Sequence, residues 1–161
     1  MSEGIGTLAL VGGGVMGEAI VKRLLDQRLT TAAEVRVAEV SGPRREALTA
    51  AYGFTCTPDI ATAADGAATL LLAVKPQNMS DVFAACDGRL HPDQVVISIA
   101  AGVTLKTLTQ GLNHHVVVRV MPNTPAQVGQ GMSVWTAEPH VTEAQRSVAQ
   151  RILAAVGDEL Y

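Results

Sequence analysis

The stretch TLALVGGGVMG, residues 7–17, decides how the rest of the chain is read. Five residues of apolar, strand-type character run without a polar break into Gly12-Gly13-Gly14, and Gly17 completes a GxGxxG spacing at Gly12, Gly14 and Gly17. In a strand–turn–helix context the first glycine permits the tight bend and the second lets backbone approach a pyrophosphate. The third lets the helix lie close on the strand. The helix start then offers amide donors and a partial positive charge to an anion. Met16, Ile20 and Leu24 recur every four residues, so a helix with one apolar face follows the turn.

Working outward, short apolar runs recur at Thr7–Val11, Val35–Ala38, Thr69–Ala73, Val95–Ile99 and Val116–Val120, and each predicts a strand. Helical spacing separates them: Met79, Val82, Phe83 and Cys86 form one face, and Leu105, Leu108 and Leu112 a weaker one. Pro43 after Ser41 and Gly42 marks one helix start, and Thr142 with Gln145 marks another as a capping box. Gly157 reads as a helix-ending glycine, after which Val156–Tyr161 reads as the opening of a further element. Continuously apolar strands alternating with helices predict an α/β fold, a doubly wound, mostly parallel sheet of the Rossmann-like kind, in a single domain over residues 1–161.

Composition sets the same frame. Of 161 residues, 48% are hydrophobic, 17% charged and only 3% aromatic, so a folded core must be built from small aliphatic side chains. A net charge of -3 gives no basis for attraction to nucleic acid or anionic membrane, and no apolar run approaches the ~20 residues of a membrane span. A cytoplasmic protein is expected. Cys56 and Cys86 lack a CxxC partner, and His91, His114, His115 and His140 lack ligand spacing, so both sets are read as structural. No GxSxG elbow, carboxylate pair or basic aromatic strip points to hydrolase or nucleic-acid chemistry.

The second strand leads into Glu39, 22 residues after Gly17, where an acidic side chain accepts hydrogen bonds from ribose hydroxyls and favours NAD. Ser41, Arg44 and Arg45 lie just beyond and are suited to a 2′-phosphate. The two signals conflict; the expectation leans to NADP with NAD open. In an open α/β sheet ligands gather beyond the carboxyl ends of the strands. Three segments fall there: Ala73-Val74-Lys75-Pro76, Ser98 to Gly102 with the small residues Ala100, Ala101 and Gly102, and Met121 to Pro125 presenting Asn123 and Thr124.

At these residues the sequence resembles the pyrroline-5-carboxylate reductases. GGGVMG at 12–17, AVKP at 73–76, SIAAGV at 98–103 and RVMPNTPAQVGQG at 119–131 carry the resemblance, the last being the most specific. It implies that residues 12–17 (Gly12, Gly13, Gly14, Val15, Met16, Gly17) meet the pyrophosphate and that 73–76 touch the cofactor. It also implies that 100–102 lie near the nicotinamide and that Asn123 borders the same pocket. It implies further reduction of 1-pyrroline-5-carboxylate to L-proline with NADP or NAD, and a helical C-terminal domain, absent from this chain, through which the full-length form builds a homo-oligomer. Asp59-Ile60-Ala61 departs from the family, whose members often carry an Asn there. The alternatives are another imine or hydroxy-acid dehydrogenase of the same architecture, or a non-catalytic dinucleotide-sensing module.

Overall fold

The computed structural model describes residues 4–123 and 129–161. Eight strands form one sheet: β1 (Leu8–Val11), β2 (Val35–Ala38), β3 (Thr55–Thr57), β4 (Thr69–Leu72), β5 (Val95–Ser98), β6 (Val117–Met121), β7 (Gly131–Ala137) and β8 (Gly157–Leu160). Six helices connect and cover them: α1 (Val15–Asp26), α2 (Gly42–Tyr52), α3 (Ile60–Ala64), α4 (Met79–Cys86), α5 (Leu105–Leu112) and α6 (Glu143–Ala154). The strand order is β3-β2-β1-β4-β5-β6-β7-β8, parallel throughout except for the antiparallel pairing of β7 with β6. From β3 to β6 this is the doubly wound order, and the direction of winding reverses between β1 and β4.

Alternation along the strands sorts side chains onto two layers. Leu8, Leu10, Val35, Val37, Leu71 and Ile97 pack with Ile20, Val21 and Leu24 of α1, Leu48 of α2 and Ile152 and Leu153 of α6. On the other face Ala9, Val11, Leu70, Leu72 and Val96 pack with Ala63 of α3, Val82 and Cys86 of α4 and Leu108 and Leu112 of α5. Every residue of β1, β4 and β5 is buried, which is why these strands are apolar apart from Thr69 at the start of β4 and Ser98 at the end of β5. Fully burying a Leu or Ile contributes roughly 1.5–3 kcal/mol, so these two layers supply the main driving force.

Helix starts follow the expected chemistry. Ser41 Oγ accepts from the Arg44 amide at 3.3 Å, with Pro43 in the first turn of α2. Thr142 and Gln145 close a reciprocal capping box on α6, at 3.2 and 2.8 Å.

The structure departs from the sequence reading at Gly157 and at two strands. Gly157 does not end a helix: α6 closes at Ala155 in right-handed conformation, and Gly157 instead starts β8 with φ 141°. A Cβ there would lie 2.1 Å from the Gly131 carbonyl oxygen, so the glycine is required by strand contact. The strands β3 and β7 went unread; β3 is three residues at the sheet edge, and β7 alternates Met132, Val134 and Thr136 outward with Ser133 and Trp135 inward.

Beneath the sheet, Gln94 is a buried polar pin. Its side-chain amide donates to the carbonyls of Ala64 and Ala67, at 2.8 and 2.7 Å, and its backbone carbonyl oxygen accepts from His114 Nε2 at 2.7 Å. Burial holds the His114 imidazole below its ordinary 6.5 and therefore neutral. The unfolded chain takes up a proton at this residue before the folded one does, so its contribution to stability falls as pH drops through 6.5. Urea denaturation at about pH 8 and about pH 5.5 should show a smaller loss of stability on acidification in His114→Gln than in the parent chain, and an identical loss in the two would rule out His114 as its source.

Candidate functional site

The carboxyl ends of β1, β2, β4, β5 and β6 open onto one long cleft made of two adjoining cavities. The first, about 430 Å³, is lined by Gly12, Gly14, Glu39, Ser41, Ile60 and Asn78 among others. The second, about 270 Å³, is bordered by Met16, Pro76, Ile99, Ala100, Ala101 and Pro122. Ala73, Val74 and Lys75 belong to both and form the wall where they meet. This junction lies at the winding reversal between β1 and β4, where the two loops diverge and leave a crevice.

The glycine turn shapes the middle of the cleft. Gly12 has φ +95°, and a Cβ on it would lie 2.9 Å from the Ala73 carbonyl group. A Cβ on Gly17 would lie 2.7 Å from the Gly12 carbonyl oxygen and 2.9 Å from Leu10 Cδ1, so α1 can approach β1 this closely only with hydrogen at that position. Gly14 differs. Its φ is -75°, a Cβ would meet nothing within 4 Å, and it faces the cleft as the N-cap of α1. It brings no side chain to cap the helix, which leaves the first-turn amides available to an acceptor from outside.

Around the turn, a polar network fixes the entry to α2. Arg44 Nε donates to the Gly13 carbonyl at 2.6 Å, and the same guanidinium is paired with Glu18 Oε2 on α1. Tyr52 donates from its hydroxyl to Glu18 Oε1 at 2.8 Å. Burial pushes the Glu18 carboxyl up, but the bonds from Tyr52 and Arg44 outweigh it and hold the group below its ordinary 4.5. Burial and then Glu18 push the Tyr52 phenol up to about 12. Arg45 Nη1 donates to the carbonyls of Glu39 and Val40, at 2.8 and 2.9 Å.

The fold thus brings Gly12, Gly14, Met16, Glu39, Ser41, Ala73, Val74, Lys75, Pro76, Ala100 and Ala101 to one cleft. Gly13 lies behind the turn, where a Cβ would strike Leu48, and Arg44 is engaged by Gly13 and Glu18 rather than lining the cavity. Val15 is exposed, and Gly102 sits at φ +73° beyond the cleft lining. Asn123 Oδ1 accepts from the Met132 amide at 3.0 Å and ties the end of β6 to β7. Thr124, Pro125 and the rest of 124–128 lie outside the described residues. Sequence reading missed Pro58, Ile60, Asn78 and Asp81, which close the first cavity. Asn78 and Asp81 fall three and six residues after Lys75, so helical spacing from Lys75-Pro76 was the available signal. Among the described residues no group of three or more His, Cys, Asp or Glu side chains is arranged to hold a metal ion. No helix of the described residues is long and apolar enough to cross a membrane.

A glycine-turn cleft at the winding reversal of a doubly wound sheet defines a Rossmann-type domain. The chain belongs to the family described as NADP oxidoreductase, coenzyme F420-dependent, whose model matches residues 7–102. It is 42% identical over 151 residues, 94% of its length, to a pyrroline-5-carboxylate reductase of Synechocystis, of which it covers 56%. The structure of a pyrroline-5-carboxylate reductase from Coxiella burnetii superposes with a TM-score of 0.90 at 29% identity, over 97% of this chain and 58% of that one. A Plasmodium falciparum pyrroline carboxylate reductase with NADP bound shares the fold, with a TM-score of 0.84 at 20% identity over 99% of this chain and 58% of that one. The chain spans about half the length of the curated relatives it matches.

The close approach at Gly17 yields a direct stability forecast. Gly17→Ala forces a methyl group against backbone and should cost about 1–3 kcal/mol in chemical denaturation, despite alanine's higher helix propensity. An unchanged or raised midpoint would show that α1 is free to move away from β1.

Proposed function

We propose that this chain is the cofactor-binding half of a pyrroline-5-carboxylate reductase, which uses NAD(P)H to reduce the cyclic imine of 1-pyrroline-5-carboxylate to L-proline. The observation that carries the reading is the pair of adjoining cavities that run from Glu39 and Ser41, past Gly12, Gly14 and Met16, to Ala100 and Ala101 and share Ala73, Val74 and Lys75. Its length and order of chemistry suit an extended dinucleotide. Ile60 and Val40 offer apolar walls at one end, the uncapped amides of α1 and the side-chain-free Gly14 receive the phosphates, and small alanines leave space for a flat ring at the other. The 42% identity to a curated reductase supports the choice among dehydrogenases of this architecture.

Bound there, the nicotinamide supplies the hydride. The contribution of the chain would be to hold that ring at the end of the cleft beside Ala100, Ala101 and Pro122. Holding the imine against it within about 3.5 Å, in a near-attack geometry, falls to the part of the relatives that extends beyond the length matched here. The same part carries homo-oligomer assembly in this reading, and a soluble cytoplasmic setting follows from the biosynthetic role.

The test uses binding. Gly14→Val puts two methyl groups into the cleft at a position with ordinary φ and no neighbour within 4 Å. NAD(P)H affinity should fall by about tenfold or more, roughly 1.4 kcal/mol, while the melting temperature stays within a few degrees of the parent. Near-parental affinity in a folded Gly14→Val protein would remove the dinucleotide site. As a second check, the 161-residue chain alone should show only a small fraction of a full-length reductase's NADPH oxidation with 1-pyrroline-5-carboxylate. Comparable turnover would contradict the assignment of substrate binding to the remaining part.

A further inference from the structure

The far end of the sheet, at β6, β7 and β8, is covered on one face only. Trp135 of β7 packs with Ile152 and Leu153 of α6 on the covered side. On the opposite face α5 covers Val117 of β6, but beyond it Met121, Met132, Val134 and Leu160 are between 43% and 60% exposed. Among the described residues only Val15, Val40 and Tyr161 are other large apolar side chains left so open. Four such side chains on one face of three adjacent strands make a contiguous patch rather than scattered exposure. A sheet of this architecture ordinarily has both faces covered.

The strand register fixes how the patch is laid out. Met121 lies opposite Val134 and Val134 opposite Leu160, so these three form a central row across the strands. Arg119 lies beside Thr136 in the row on one side, and Met132 beside Asp158 in the row on the other. One cation and one anion thus stand at diagonally opposite corners of an apolar centre. Arg119 Nε is buried without a hydrogen-bond partner, and its Nη2 approaches Met121 Sδ at 3.7 Å. Among the described residues neither Arg119 nor Asp158 takes part in an ion pair.

We propose that this face is an interface between two copies of the chain, packed face to face about a two-fold axis at Val134. Such an axis brings each Arg119 opposite the partner's Asp158 and each Met121 near the partner's Met132, because the pattern of charges is its own complement. A helix from an unrelated chain would have no need of that matched diagonal. The strands of the two sheets cross at a steep angle, one of the two common ways in which sheets stack. Met121 also borders the smaller cavity, so the partner copy stands at the rim of the cleft. This contact is separate from the assembly assigned above to the remaining part of the longer relatives. A patch of this few side chains is far below the 20–30 residues a side of a standard interface, so the dimer is weak, with a Kd on the order of 10–500 μM.

The experiment is sedimentation velocity of the 161-residue chain from about 5 μM to about 1 mM, with a thermal melt of every variant. The parent should pass from monomer to dimer over that range, and about 0.5 M salt should weaken the dimer by screening its ion pairs. Val134→Lys puts like charges at the axis, and Asp158→Lys sets a cation against the partner's Arg119. Both positions are exposed, so each variant should fold, and each should weaken dimerisation about tenfold or more. Adding Arg119→Glu to Asp158→Lys reverses both charges and should restore the dimer, a rescue that a loss of stability would not give. A parent that stays monomeric to about 1 mM overturns the proposal and leaves the face to a partner of another kind. A dimer that persists unchanged in Val134→Lys and Asp158→Lys lies on another surface and also overturns it, as does a folded double variant that fails to recover. If the double variant does not fold, the parent and the two single variants decide.

Discussion

The contact on which the remaining geometry depends is the one between α1 and the first strand, where Gly17 lies against the Gly12 carbonyl oxygen, Leu10 and Ala73 with no room for a side chain. Because the helix sits this low, its first turn opens at the level of the strand ends instead of above them. The loop after β4 must then pass over Gly12, and Ala73 does so with a small side chain. Widening this contact by one methyl group would lift α1 and separate its amides from the wall formed by Ala73, Val74 and Lys75. Core packing and site geometry are therefore the same feature seen from two sides.

That economy of volume runs through the molecule. With 3% aromatic residues, the two core layers are built from Ala, Val, Leu and Ile, and interlayer spacing is set by β-branched and small side chains. The few aromatic groups pair with one another: Tyr52 stacks on the buried Phe54 with ring centroids 4.8 Å apart, and the buried Trp135 meets Tyr161 edge-on at 4.6 Å. Polar groups are admitted inside where they tie loops together. Gln94 joins the loops preceding β4 and β6, and Glu18 joins α1 to α2. A rigid, finely spaced interior of this kind suits a site whose task is to hold a long ligand in one register.

How much was legible follows from the range of each interaction. The glycine spacing at 12–17, the apolar runs of β1, β2, β4, β5 and β6, and the capping residues Ser41 and Thr142 are local signals, and each element appeared within a residue or two of its expected bounds. Most cleft residues were legible too, because position at a strand's carboxyl end is a consequence of chain order in this fold. Gly157 misled because a glycine required by a neighbouring strand and one required by a helix end look alike in sequence. β7 was passed over because its outward side chains, Met132 and Val134, are themselves apolar and blur the alternation.

The sequence by itself determined the doubly wound architecture, the place of the cleft and the position of Gly14 within it, since these rest on periodicity and on backbone freedom, which are properties of adjacent residues. The tertiary structure alone decided what the charged side chains around the turn do. Residues 18, 44 and 52 are far apart along the chain and on two helices. Only their convergence shows that Arg44 has a carboxylate and a carbonyl as partners. A guanidinium on a long flexible stem can serve any acceptor within reach, and which acceptors come within reach is fixed by how the helices dock, not by the order of the residues.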